Sequence, residues 1–130
     1  MPYTPHPQHR SAAFATVKSQ WSIAVNDEHV CYQNAAANGW TCCGFYWGLH
    51  APAPMQLPVQ LGVSPLPNQY PLQIAKFVGD AVGNWHGYPV AHWLSPFDKP
   101  DAPVLLAWHN SGFISRPTMA KIHRGKRCSL

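Results

Sequence analysis

Charge is what this chain has least of. Only 11% of its 130 residues are Asp, Glu, Lys or Arg, under half the ~25% usual in soluble domains. Five acidic residues leave little material for the paired carboxylates of glycoside or general acid–base chemistry. Asp80 reads as a helix-surface residue, and Asp98 and Asp101 as loop or cap residues. A Gly-rich phosphate loop is missing as well. No apolar run approaches the ~20 residues of a membrane helix. The opening Met1-Pro2-Tyr3-Thr4-Pro5-His6-Pro7 has neither the charged nor the apolar region of a secretory signal. These absences predict a cytoplasmic protein with no membrane partner.

Cysteine motifs are lacking too. Cys31, Cys42, Cys43 and Cys128 form neither a C-x-x-C pair nor a small secreted framework, so reduced, mostly buried thiols are expected. On a strand, the adjacent Cys42 and Cys43 would face opposite ways and be poorly placed to bond each other.

What the chain does have is apolar and aromatic bulk. Hydrophobic residues make up 46% and aromatics 12%, enough for a core in one ordinary domain. With so little charge, some apolar surface needs cover, and a homodimer is the commonest solution.

Residues 1–12, rich in Pro, His and Gln, read as a flexible N-terminal arm before a single domain over 13–130. Trp21–Val25 and Glu28–Tyr32 flank Asn26-Asp27, which predicts a hairpin with a two-residue turn. A third strand is predicted over 40–49, with Gly44 and Gly48 leaving a shallow trough beside Tyr46. An edge strand over 55–61 follows, interrupted by Pro58. Ile74, Phe77, Val78, Ala81 and Val82 fall at helical spacing after Pro71. Helices are also predicted over about 102–110, capped by Asp101, and after Ser115, with Pro117 early and Gly125 at the end. The expected fold is therefore α+β: a small antiparallel sheet of about four strands in the N-terminal half, packed against about three C-terminal helices.

The most unusual segment is 84–93, read as an aromatic connecting loop. Trp85, His86, Tyr88, His92 and Trp93 lie within ten residues, with Gly87 and Pro89 bending the chain between them. Side chains with a large apolar body and a polar tip dominate pockets and hot spots. With Tyr46 they form the candidate ligand-binding set; the plainer reading is that they fill the gap between sheet and helices. A metal site from His86 and His92 with His109 or a cysteine lacks any helical or turn-like ligand spacing, so neither metal nor cofactor is expected. A thiol triad can be drawn from Cys42 or Cys43 with His86 or His92 and Asp98, though nothing in the spacing brings the members together.

Basic residues crowd the C-terminus: Arg116, Lys121, Arg124, Lys126 and Arg127, with no acid among them. Within it, residues 112–126 resemble the recognition half of bacterial helix-turn-helix proteins: Ser115 as cap, Met119 and Ile122 facing the first helix, Lys121, Arg124 and Lys126 towards DNA. Gly112 lies one residue early relative to Ser115, and bulky His109 stands where the first helix wants a small residue. The resemblance implies nucleic-acid binding by 115–127; a helix pair used for packing explains the same residues. Three readings follow, in order: a non-catalytic binding or interaction protein using the aromatic/His segment, a nucleic-acid-binding protein using the basic segment, and a Cys/His-based enzyme.

Overall fold

The longest helix stands where a hairpin is expected. The computed structural model describes residues 2–52 and 57–130, and in it Val25–Asn38 is helix α1. Glu28, Cys31, Tyr32 and Ala35 are its buried residues, an i, i+3, i+4, i+7 stripe. Asp27 and Glu28 sit in its first turn and Gly39 closes it in the left-handed conformation, so the dipole and the terminator both favour helix. The Asn26-Asp27 pair belongs to the first turn of this helix and not to a β-turn.

The described residues form two antiparallel sheets, the larger of which packs on α1 through residues Phe45–Gly48. The smaller joins β1 (Gln20–Trp21), β4 (Gly62–Val63) and β5 (Pro71–Leu72) in the order β1-β4-β5. The larger joins β2 (Thr41–Cys42), β3 (Phe45–Gly48), β6 (Ile74–Gly79) and β7 (Trp85–Val90) in sequence order. The expected third strand over 40–49 is thus a tight hairpin, β2–β3. It turns through Cys43 (φ 61°) and Gly44 (φ 89°), the positive-φ pair of a type I′ turn. Of the edge strand expected over 55–61, residues 55 and 56 lie outside the described residues, and Val59 makes an isolated bridge to His50.

β6 replaces the helix expected after Pro71. Ile74, Ala75, Lys76 and Phe77 are all buried, because β6 is flanked by β3 and β7 and covered on both faces. A strand buried on both sides has no polar alternation, and a short apolar run of this kind also fits helical spacing. Likewise most of the expected 84–93 loop is the strand β7. The fold is α+β, but its main strands lie at 74–90 and one of its helices lies early, so the expected division into N-terminal sheet and C-terminal helices does not hold.

The C-terminal helices match expectation: α2 is Ala102–Asn110 and α3 is Arg116–His123. Ser115 Oγ accepts from the Thr118 amide as the α3 cap. Val104, Leu105, Trp108 and Ile122 are buried in the core they share with Trp40, Trp47 and Phe77. None of the helices described is long and apolar enough to cross a membrane.

Segment 2–12, read as a loose arm, pairs through residues 2–4 with Trp85 at the open edge of β7. Tyr3 bridges Trp85 in parallel, the Thr4 amide donates to the Trp85 carbonyl (2.8 Å), and the Trp85 amide donates to the Pro2 carbonyl (2.9 Å). Arg10 pairs with the fully buried Glu28 at 2.8 Å, and the Tyr3 hydroxyl donates to the same carboxylate. Covering an edge strand this way satisfies backbone groups that would otherwise recruit another chain.

Candidate ligand-binding site

Successive side chains of a strand point to opposite faces, and β7 uses both. Gly87 pairs with Phe77 in the register of the sheet, and Trp85 and Gly87 face α1. There Trp85 meets Tyr46 edge-on (centroids 5.1 Å) and lies 6.0 Å from Tyr32, while Tyr3 stacks on Tyr32 at 4.9 Å. His86 and Tyr88 face the other way. Strand alternation therefore divides the candidate set: Trp85 and Tyr46 join the aromatic layer under α1, and His86 and Tyr88 line a cleft. His92 and Trp93 lie past the end of β7. His92 is buried and its Nε2 contacts the Lys126 carbonyl at 2.6 Å, whereas Trp93 packs edge-on against Tyr70.

The cleft needs two residues that sequence reasoning missed. His6 and His9 arrive from the N-terminal segment, about eighty positions from His86. His6 lies 5.3 Å from His86 and 5.5 Å from His9, and His9 stacks on Tyr88 at 4.9 Å with ring planes 12° apart. Ser19, Lys18, Pro89, Leu94 and Asp98 complete the walls of a half-open cavity of about 390 Å³. That is within the range of small-molecule sites. The only sequence hint was the density of histidine in 1–12.

Local hydrogen bonds fix the state of these rings. His9 Nδ1 lies 2.8 Å from the Ser19 carbonyl oxygen. A carbonyl only accepts, so Nδ1 carries the proton and Nε2 is left as an acceptor. His6 Nδ1 accepts from the Gln8 amide, so neutral His6 carries its proton on Nε2. Burial, reinforced by the neighbouring His6, Lys18 and His86, holds His9 down at about 4 against its bond to Ser19. His86 is lowered too, by burial and by His6. Burial and the nearby Asp98 push the Tyr88 phenol up to about 12. His9, His86 and Tyr88 thus offer uncharged donors and acceptors at neutral pH, beside Lys18 and Asp98 in the cavity wall. Ser19 Oγ donates to the Pro89 carbonyl at 2.6 Å, which engages the hydroxyl rather than activating it as a nucleophile.

Behind Tyr88 lies a cation that the sequence did not flag. Lys76, the cross-strand partner of Tyr88, is buried, donates to the Phe97 carbonyl at 2.6 Å, and sits 4.2 Å from the Phe45 ring centroid. Asp98 is 3.8 Å away. Burial raises the Asp98 carboxyl and Lys76 opposes that rise.

The thiol triad drawn from sequence is not assembled. β2 and β7 are opposite edges of the larger sheet, about 14 Å apart at ~4.8 Å per strand, so Cys42 and Cys43 are remote from His86. Cys31 and His50 are in contact at 3.9 Å, but burial and the nearby Asp27 and Glu28 push that thiol up to about 12, far from thiolate reactivity. His86, His92 and His109 do not converge either: His109 Nδ1 is 3.0 Å from the Ile114 carbonyl.

Arg116, Lys121, Arg124, Lys126 and Arg127 are all exposed. Neither of the two ion pairs among the described residues, Arg10–Glu28 and Lys76–Asp98, uses them. Arg127 lies 4.0 Å over the Tyr70 ring. No known family, curated protein or solved structure matches the chain.

Proposed function

We propose that this protein is a non-catalytic binding protein that takes a small, uncharged organic molecule in the cleft between the N-terminal segment and β7. One observation carries the reading: four rings from two distant segments, His6, His9, His86 and Tyr88, converge on one cavity. Burial keeps His9 and His86 neutral, which favours a ligand with hydrogen-bonding groups on a planar apolar body. The test is a ligand-observed NMR screen of neutral heteroaromatic fragments against the wild type, His6→Ala and His86→Ala. Hits that the wild type binds and both variants lose support the reading. Hits that persist in both variants, with unchanged melting, defeat it.

A nucleic-acid-binding reading rests on a different observation, the five exposed cations at 116–127 without carboxylate partners among the described residues. Five phosphate contacts would give a slope of log affinity against log salt of roughly −4 to −5 on duplex DNA. A fluorescence titration showing no salt-dependent binding would remove it. Self-association is proposed on the exposed Val82, Leu94 and Phe97, and light scattering that returns a monomer mass at all concentrations would end that proposal.

A further inference from the structure

The thiols of Cys42 and Cys43 meet although the residues are adjacent. The type I′ turn of the β2–β3 hairpin puts Cys43 in the left-handed region, and this brings the two sulfurs to 2.9 Å. The expectation that they face opposite ways fails because Cys43 is a turn residue and not a strand residue. Both are free thiols; Cys43 is exposed and Cys42 partly so. The third member comes from α2. Asp101 is the N-cap of that helix, yet its side chain makes no capping bond. Its carboxylate turns to the hairpin, where one ligand atom from each of Cys42, Cys43 and Asp101 lies within 4.8 Å of the other two.

We propose that Cys42, Cys43 and Asp101 form a binding site for a thiophilic divalent cation of the zinc type. Two thiolates and a carboxylate are ordinary zinc donors, and three protein ligands leave a fourth, open position. In a tetrahedral site with ~2.3 Å zinc–sulfur bonds the sulfurs stand ~3.8 Å apart, so this pair must open by roughly 0.9 Å. A rotation of the exposed Cys43 side chain supplies that. Three groups that repel one another once ionised are an arrangement that a cation neutralises. The hydrogen bond with Cys43 and the nearby Asp101 carboxylate push the Cys42 thiol up, so its proton leaves only as the cation enters. Binding balances as one divalent cation in and two thiol protons out, with no redox change.

The experiment is titration of the full-length, reduced chain with zinc, and with cadmium to read thiolate-to-metal absorption. Proton release is followed in weak buffer, in wild type, Cys42→Ser, Cys43→Ser, Asp101→Asn and Cys128→Ser. One ion per chain and close to two protons per ion are expected. Each hairpin serine variant should weaken binding by more than the ~10–100-fold that an outer-shell partner is worth, Asp101→Asn should weaken it less, and Cys128→Ser should leave it unchanged. Because the hairpin thiols are not core, the serine variants should melt with the wild type. No binding by the reduced wild type would overturn the proposal, as would binding that survives both hairpin serine variants. So would a reduced chain that ignores zinc yet loses two hydrogen masses on oxidation, which would make the pair a redox couple instead.

Discussion

The two faces of β7 are built from neighbouring residues and serve different ends. Towards α1, Trp85 and Gly87 are locked among Tyr3, Tyr32, Tyr46 and Phe77. On the other side, His86 and Tyr88 meet the two histidines of the N-terminal segment and line a half-open cavity, with Lys76 beside Tyr88 in the sheet. The same segment supplies both coverings, sending Tyr3 to the packed face and His6 and His9 to the cleft. A strand at a sheet edge can pack one face into the core while the other lines a cavity. Alternation assigns one task to each face, and an added edge segment completes both.

The comparison breaks most visibly at Gly87. A Cβ there would lie 2.2 Å from the Phe77 ring, a collision within a close-packed layer. Gly87→Val is expected to cost about 3 kcal/mol or more, read by urea unfolding, and a variant within 1 kcal/mol of wild type (~1 kcal/mol being the centre of ordinary point-mutant effects) would mean that the face towards α1 is loosely packed. Close behind comes Arg10→Ala. It leaves the fully buried Glu28 with only the Tyr3 hydroxyl, and breaking a buried pair typically costs ~3–5 kcal/mol. Because Arg10 is partly exposed, the lower end is expected. Proteolytic release of the N-terminal segment is the second readout.

Acid should open the cleft side. His9 is held at about 4 when folded, against ~6.5 unfolded. Below 6.5 the unfolded chain binds the extra proton, so this contribution is present above pH 6.5 and lost as pH falls towards 4. His86 and His92, also lowered by burial, act in the same direction. The loss attributable to His9 should be on the order of 1–2 kcal/mol once solvent screening is allowed for. A His9→Gln variant whose melting temperature falls as steeply as wild type between pH 6.5 and 4 would remove His9 from that role. The smallest effects belong to the cleft wall itself. His86→Ala and Tyr88→Phe should each shift stability by less than ~1 kcal/mol, in contrast to Gly87→Val two atoms of backbone away. If both melt as badly as Trp85→Ala, the cleft is core and the proposed binding site loses its basis.

Where the sequence spoke clearly, the signals were local and chemical. Ser115, Pro117 and Gly125 delimit α3 because caps and terminators act within a turn of where they stand. Asp101 marked the start of α2 by its position, although its side chain makes no capping bond there. The mixed α+β character was legible from the change of period along the chain, although the periods were assigned to the wrong segments. α1 was hidden because its buried stripe includes the charged Glu28, and because Asn26-Asp27 also suits a turn. β6 was hidden because a strand covered on both faces loses the alternation that identifies strands.

Local pattern was enough to delimit α2 and α3, to imply free thiols, and to single out His86 and Tyr88 as candidates. Which side chains meet was settled by long-range contacts. Alternation turned Trp85 away from His86, an edge contact of backbone atoms brought His6 and His9 across eighty residues, and a positive φ at Cys43 turned two adjacent sulfurs towards each other. None of these is a property of local composition. Each follows from where backbone hydrogen bonds are satisfied, which depends on the whole chain.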